Sequence, residues 1–285
     1  MIAVKTVAGV KKVIDAQKRR GKSLGFVPTM GALHAGHLSL VKKARKDCDF
    51  VTVSIFINPT QFSPKEDYKK YPRTTKEDLR QLRKIGVDLV FCPEPEHLYL
   101  KGNSVMVYEH VLSQGLCGKS RPYHFAGVAT IVAKLFNIIT PDIAYFGQKD
   151  YQQAQIIKRL ARDLNFSVKI EVLPIVRDRD GLALSSRNRY LNDRARIDAA
   201  AIYEALRHTQ GVYRRGERSV KTLLRQARAI IAKKNRLKID YIKIIDPDTL
   251  REVKKINGNV VLILAVYVGK IRLIDNVSLT SKGVR

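Results

Sequence analysis

Residues 26–41 read FVPTMGALHAGHLSLV, and no other stretch restricts the fold of this chain as much. The apolar run Leu24–Val27 predicts a buried strand, with Pro28 as its end. A turn follows that contains Gly31 and Gly36 and sets His34 and His37 three positions apart. Leu38, Leu40 and Val41 then lead a segment that reads as a helix up to Lys46. A strand that stops, turns on glycine and starts a helix presents backbone N–H groups at the helix N-terminus. With the helix dipole, such groups form a site for phosphate oxygens. Two imidazoles at the same place can donate hydrogen bonds to charge that develops on a phosphate during transfer. An isolated His-x-x-His would be read as a turn with surface polar residues, so the rest of the chain has to decide.

The flanking pattern alternates strand and helix. MIAVKTVAGVKKVIDAQKRR predicts an amphipathic helix with Val10, Val13 and Ile14 on one face, and its short apolar groups broken by Lys and Asp lead us to expect no signal peptide in it. Phe50–Ile57 is a strand dense in β-branched residues, and Asp88–Cys92 is another, after a helix over Thr75–Ile85. Val105–Tyr108 gives a weaker strand signal. Phe125–Ile139 has a helical apolar period, Asp142–Phe146 predicts a strand, Tyr151–Leu164 a helix and Val168–Val176 a strand. This is the pattern of an α/β fold, a Rossmann-like parallel sheet with helices on both faces. Beyond Val176 the signals segregate: helices over Asp193–Thr209 and Val220–Lys233, a strand over Ile239–Ile245, and a hairpin of Val260–Val268 and Ile271–Leu279 turning at Gly269-Lys270. The expected organisation is a nucleotide-binding domain over residues 1–176 and a smaller C-terminal α+β domain over 177–285, the latter read as a lid.

In a parallel sheet of this kind ligands lie beyond the carboxyl ends of the strands, and four polar stretches follow strands here. Asn58–Gln61 (NPTQ) turns on Pro59 and offers the Gln61 amide, which both donates and accepts. Ser120–Gly127 (SRPYHFAG) carries Arg121, a cation suited to a carboxylate or phosphate, and His124. Phe146–Gln153 (FGQKDYQQ) combines Gly147, which permits close approach, with Lys149, and places Asp150 where a carboxylate caps a helix. Asp180–Leu191 (DGLALSSRNRYL) offers Ser185, Ser186 and Arg187 to phosphates.

Composition narrows the class. The chain has 285 residues, enough for about two domains, with an ordinary hydrophobic fraction of 45%. No apolar run approaches the ~20 residues that span a bilayer. Cys48, Cys92 and Cys117 lack metal-ligand spacing and predict a reducing cytoplasm, with Cys48 and Cys92 as buried thiols. The net charge of +27, from 53 Lys and Arg against 26 Asp and Glu, attracts anions. The cations are spread along the chain, so a basic solvated surface is expected and no specific nucleic-acid partner.

Taken together, MGALHAGH resembles the HxGH signature of nucleotidylyltransferases and class I aminoacyl-tRNA synthetases. With VPT before it, LSLV after it, SIFINPTQF, YPRT, FGQKDYQQ and the closing GKIRLIDN, nearly the whole chain resembles the pantothenate synthetase (pantoate–β-alanine ligase) family. The resemblance implies an AMP-forming ligase that joins pantoate to β-alanine through a pantoyl adenylate. It implies an ATP site of Met30, Gly31, Ala32, Leu33, His34, Ala35, Gly36 and His37, with Gly147, Gln148, Lys149 and Asp150. Val176, Leu184, Ser185, Ser186 and Arg187 complete that site. Gln61 and Gln153 are implied to bind pantoate, and His34, His37 and Lys149 to balance charge during transfer. Mg2+ carried with ATP and a homodimer are further implications; no carboxylate cluster suggests a metal cage built by the protein. Two positions depart from the family pattern. Tyr123 stands where the family usually has Gly, so that loop is expected to take another path, and Gln148 stands where most relatives carry Glu.

Two other classes use the same loop: a nucleotidylyltransferase that passes AMP to an acceptor phosphate, and a tRNA-synthetase-like RNA-binding protein. NPTQF and FGQKDYQQ discriminate against both, and no anticodon-binding or zinc-ribbon segment is recognisable.

Overall fold

A computed structural model of the chain describes residues 1–64 and 66–280. The chain divides into two compact units: residues 1–114, 118–148 and 153–174 form the first, and residues 115–117, 149–152 and 175–285 the second.

The first unit is built on strands β1 (Ile2–Val4), β2 (Leu24–Thr29), β3 (Phe50–Ile55), β4 (Leu89–Phe91), β5 (Ile143–Gly147) and β6 (Lys169–Leu173). They form one parallel sheet in the order β1-β4-β3-β2-β5-β6. β1 was not predicted; three residues are too few to show a period. Helices α1 (Val7–Lys18), α2 (Ala35–Asp47), α3 (Thr75–Ile85), α4 (Pro95–Leu98) and α5 (Cys117–Ser120) are followed by α6 (His124–Ile139) and α7 (Tyr151–Asp163). The first residue of α5 and the first two of α7 cluster with the second unit.

Side-chain alternation along the strands separates two cores. Leu24 and Phe26 of β2, Leu89 and Phe91 of β4, and Val10 and Ile14 of α1 join one, together with the apolar face of α6. Val27, Val51, Val53 and Val90 point the other way and meet Leu40, Val41 and Ala44 of α2 and Leu82 of α3. Helices therefore cover both faces, as the alternating pattern requires. Local signals agree with this packing: Thr6 caps α1 through Gly9 N at 3.2 Å, and Gly86, at φ +82°, ends α3.

Pro28 lies inside β2 rather than at its end. The β2–β5 ladder stops at Phe26–Ala144, while β2 continues along β3 to Thr29–Ile55. By alternation the missing N–H of Pro28 faces the β5 side, past the last pair, where it costs the sheet no hydrogen bond. The strand expected at Val105–Tyr108 is absent; residues 103–110 carry no regular secondary structure. Cys48 is buried but Cys92 only partly, and burial still pushes the Cys92 thiol up to about 11. No helix among the described residues is long and apolar enough to cross a membrane.

The second unit places α8 (Asp193–Arg214) and α9 (Val220–Ala232) with an antiparallel sheet of β7 (Leu237–Ile245), β8 (Val260–Val268) and β9 (Ile271–Leu279). Ile202 and Leu206 of α8, Leu223 and Ala227 of α9, and Ile242, Leu262 and Leu264 of the sheet share its core. Val268 pairs with Ile271 across Gly269-Lys270, and Gly269 at φ +60° supplies the positive φ that a two-residue hairpin turn demands.

Candidate functional site

β2 lies at the point where the strand order reverses: the chain runs from β2 outward through β3 and β4, then returns to β5 on its other side. The crevice beyond such a switch point is where open parallel sheets bind ligands. The loop Met30–Leu33 and the start of α2 occupy that end of β2.

The helix starts earlier than its apolar period suggests. His34 is the N-cap of α2, its Nδ1 accepting from Gly36 N at 3.2 Å, and Ala35, Gly36 and His37 form the first turn. That nitrogen is committed to the cap. The His34 and His37 rings lie 4.0 Å apart between centroids, tilted by 34°. A helix N-terminus and two adjacent imidazoles are thus assembled within one turn, an arrangement suited to phosphate.

The loop is held by a residue that the sequence did not point to. Asp78, in the first turn of α3 and only 1% exposed, accepts from Ala32 N (Oδ2, 3.0 Å) and Leu33 N (Oδ1, 2.9 Å). Thr74 Oγ1 lies 3.2 Å from both of its oxygens. Gly31 adopts φ +78°, and a Cβ there would come within 3.1 Å of Asp78 Oδ2 and 3.0 Å of Ile55 Cγ2. Ala32 is also left-handed, at φ +50°. A buried carboxylate with no cation partner among the described residues is here satisfied by main-chain donors of the loop itself.

Gln61 is buried at the end of the 3-10 turn Pro59–Gln61 that follows β3. Its Nε2 reaches Met30 Sδ at 2.9 Å and its Oε1 accepts from Asn58 Nδ2 at 3.1 Å, so the NPTQ turn meets the histidine loop. Asn58 in turn accepts from Tyr99 Oη at 2.8 Å and donates to Gly127 O at 3.1 Å. Gly147 closes β5, the strand beside β2, and Gln148 begins the turn that follows it. The two neighbouring glutamines of α7 differ: the Gln153 residue is half-buried and its side chain makes no hydrogen bond among the described residues. Gln152, in the second unit, binds Cys117 N at 3.0 Å and Gly115 O at 2.9 Å and so serves structure. Arg121 is already engaged by Glu66, at 2.5 and 2.9 Å, which removes it as a ready receptor for a free anion. Tyr123 sits at φ +66°, the region glycine occupies without strain, so this loop takes a glycine-like backbone despite the larger side chain.

In the second unit, Lys149 Nζ stands 3.5 Å from Asp150 Oδ1, and Lys149 O accepts from Asn276 Nδ2 at 3.2 Å. Leu184 N donates to Val176 O at 3.0 Å, which makes Val176–Leu184 a hairpin that presents Ser185, Ser186 and Arg187. Ser185 caps the 3-10 turn Ser186–Tyr190 through Arg187 N at 3.3 Å, and Ser186 is buried. The hairpin is anchored by Arg177, forked onto Asp275 at 2.6 and 2.9 Å and stacked 4.2 Å from the Tyr203 ring. Burial pushes the Asp275 carboxyl up, against the pull of Arg177. Gly181, at φ +85°, lies where a Cβ would strike Tyr203 Cδ1 at 1.9 Å, so only glycine closes this turn. No group of three or more His, Cys, Asp or Glu that could hold a metal occurs among the described residues.

A parallel sheet whose switch-point loop opens a helix on paired histidines defines an α/β nucleotide-binding protein. The model of the pantoate-beta-alanine ligase family matches residues 2–278. The pantothenate synthetase of Fervidobacterium nodosum is 50% identical over 276 residues, 97% of this chain and 98% of the relative. Among solved structures, pantothenate synthetase from Thermus thermophilus superposes with a TM-score of 0.94 at 41% identity, covering 98% of this chain and all of the other. The pantoate-beta-alanine ligase from Francisella tularensis, crystallised with beta-gamma ATP and beta-alanine, gives 0.80 at 37% identity, covering 97% of each chain. The chain belongs to the pantoate–beta-alanine ligase family, and it is a ligase.

Proposed function

We propose that this enzyme condenses pantoate and β-alanine to pantothenate in two steps on one ATP. A pantoate carboxylate oxygen attacks the α-phosphorus, the bond to the β-phosphate breaks, and pyrophosphate leaves. The β-alanine amine then attacks the acyl carbon, loses a proton and expels AMP. The observation that carries this reading is the Met30–His37 loop at the switch point, with its paired imidazoles and with Gln61 in contact at Met30. Family membership and the ligands of the Francisella tularensis relative support it.

No covalent enzyme intermediate is needed, so the side chains act by position and charge. The α2 N-terminus with His34 and His37 receives phosphate oxygens of ATP. Lys149, Ser185, Ser186 and Arg187 balance charge on the transferring phosphate and on pyrophosphate. Met30–His37, Gly147–Asp150, Val176 and Leu184 make the remaining nucleotide contacts, largely through main chain. Gln61 and Gln153 orient pantoate through its hydroxyls. Mg2+ enters as part of the nucleotide substrate. Apolar side chains exposed at Leu100, Val105, Tyr108 and Val111 support a homodimer, since a second copy would cover them. The three free cysteines agree with a cytoplasmic location.

If the acid is activated before the amine arrives, the enzyme catalyses pantoate-dependent exchange of label between pyrophosphate and ATP with no β-alanine present. Exchange is expected to persist after nuclease treatment and at moderate salt, whereas RNA held by the +27 surface falls away steeply as salt rises. Exchange that needs RNA, or that ignores pantoate, overturns the assignment.

A second expectation separates the glutamines from the phosphate-binding groups. Gln153→Ala is expected to raise the KM for pantoate about tenfold, the scale of one lost hydrogen bond to a positioned hydroxyl, while the KM for ATP changes less than twofold. An equal loss toward both substrates would instead mean general damage to the start of α7.

A further inference from the structure

The main chain of Gln61 is gripped from a direction that the substrate reading does not use. Its carbonyl oxygen receives His124 Nδ1 at 2.7 Å and Arg121 Nη2 at 3.4 Å. His124 Nε2 in turn meets Arg121 Nη1 at 3.0 Å. A carbonyl only accepts and a guanidinium only donates, so this geometry selects one state of the imidazole. His124 is neutral, with its proton on Nδ1 and its lone pair on Nε2.

The remaining edge of Arg121 is forked onto Glu66, Nε to Oε1 at 2.5 Å and Nη2 to Oε2 at 2.9 Å. Glu66 Oε2 also accepts from Ser63 N at 3.1 Å. The two side chains are only 17% and 22% exposed, so solvent screens the pair weakly. Burial raises the Glu66 carboxyl, but the hydrogen bond and charge of Arg121 prevail and hold it below its ordinary value. Behind the carbonyl, the α6 backbone lies flush against the turn. A Cβ on Gly127 would come within 2.4 Å of Thr60 O and 2.6 Å of Gln61 N.

We propose that Glu66, Arg121 and His124 form a positioning strap for Gln61. Glu66 sets the guanidinium, the guanidinium sets the imidazole tautomer, and both donors fix the Gln61 carbonyl. The side-chain amide of the same residue, which meets Met30 Sδ and Asn58 Nδ2, is thereby held beside the histidine loop where pantoate is proposed to bind. The strap rests on the assignment of Gln61 to pantoate made above. It also explains why a histidine follows the turn at Tyr123: position 124 needs one donor and one acceptor on a rigid ring.

The test is a double-mutant cycle on Glu66→Gln and Arg121→Lys, with Gln61→Ala as reference. Each variant is assayed for KM and kcat toward pantoate, β-alanine and ATP, and for thermal stability. Both single changes are expected to lower kcat/KM for pantoate by roughly tenfold or more, the scale of a small misplacement of a binding group. The KM for ATP is expected to stay within about twofold, and the double variant to be no worse than the poorer single one, as coupled partners require. His124→Asn, which retains a neutral donor and acceptor, is expected to recover more pantoate affinity than His124→Ala. It serves as the readout if Arg121→Lys fails to fold.

Independent, multiplicative losses from Glu66 and Arg121 overturn the strap, as does an Arg121 effect far larger than that of Glu66, which marks direct substrate contact. Equal losses for pantoate and ATP in step with stability also overturn it. If Gln61→Ala weakens pantoate binding while Glu66→Gln does not, the strap fails and the reading of Gln61 stands. If Gln61→Ala leaves pantoate binding intact, both fail.

Discussion

Asp78→Ala is expected to slow the proposed adenylate formation by about a hundredfold, although Asp78 is outside the set of residues proposed to contact substrate. Its carboxylate is the acceptor for two consecutive N–H groups of the loop that leads into α2, at 3.0 and 2.9 Å. Without it, Ala32 N and Leu33 N are buried donors with no acceptor, at about 1–3 kcal/mol each. Ala32 also holds a left-handed φ of +50°, a conformation that costs an L-residue roughly 1–2 kcal/mol and survives only where surrounding contacts over-determine it. The loop is expected to relax, carrying the His34 cap out of register. Asp78→Asn should fall between, because an amide accepts one N–H but turns its own N–H₂ toward the other. The measurements are the pantoate-dependent exchange rate and the denaturation midpoint. Wild-type exchange and stability in Asp78→Ala would show that the loop holds itself.

The second large effect is at His37. His37→Ala is expected to lower the rate of adenylate formation by roughly a hundredfold, the scale for losing one preorganised donor to developing charge. Stability should move by no more than about 0.5 kcal/mol, because the side chain contributes little to either core. His34→Ala separates the two histidines. It removes the N-cap acceptor for Gly36 N as well as the proposed phosphate donor, so it should lose about 1 kcal/mol of stability in addition to activity. Single-turnover rates and unfolding curves on the two variants distinguish the roles. Near-normal turnover in folded His37→Ala would exclude it from the chemistry.

What could be read in the chain was whatever repeats locally or turns on a special residue. The Thr75–Ile85 helix and the Val260–Leu279 hairpin fall on the predicted residues, because an amphipathic period and a Gly-Lys turn are contained within each segment. The α/β class follows for the same reason, since each strand and helix carries its own pattern. MGALHAGH was legible because strand end, glycine turn, histidines and helix start are contiguous. Its fine placement was not, since the cap at His34 starts α2 before the first apolar residue of its stripe.

Tertiary structure decided everything that depends on a partner far along the chain. Pro28 stays within β2 because the neighbouring ladder ends two residues earlier, a matter of register between strands more than a hundred residues apart. Asp78 is recruited to the loop from 45 and 46 positions away, Glu66 to Arg121 from 55, and His124 to Gln61 from 63. None of these pairings leaves a period or a motif, because a hydrogen bond constrains two side chains in space and nothing between them in sequence. Strand and helix identity is set by backbone propensity and side-chain period, which are local. The direction in which Gln61 and the histidine loop face is set by buried polar groups finding partners across the fold, which is not.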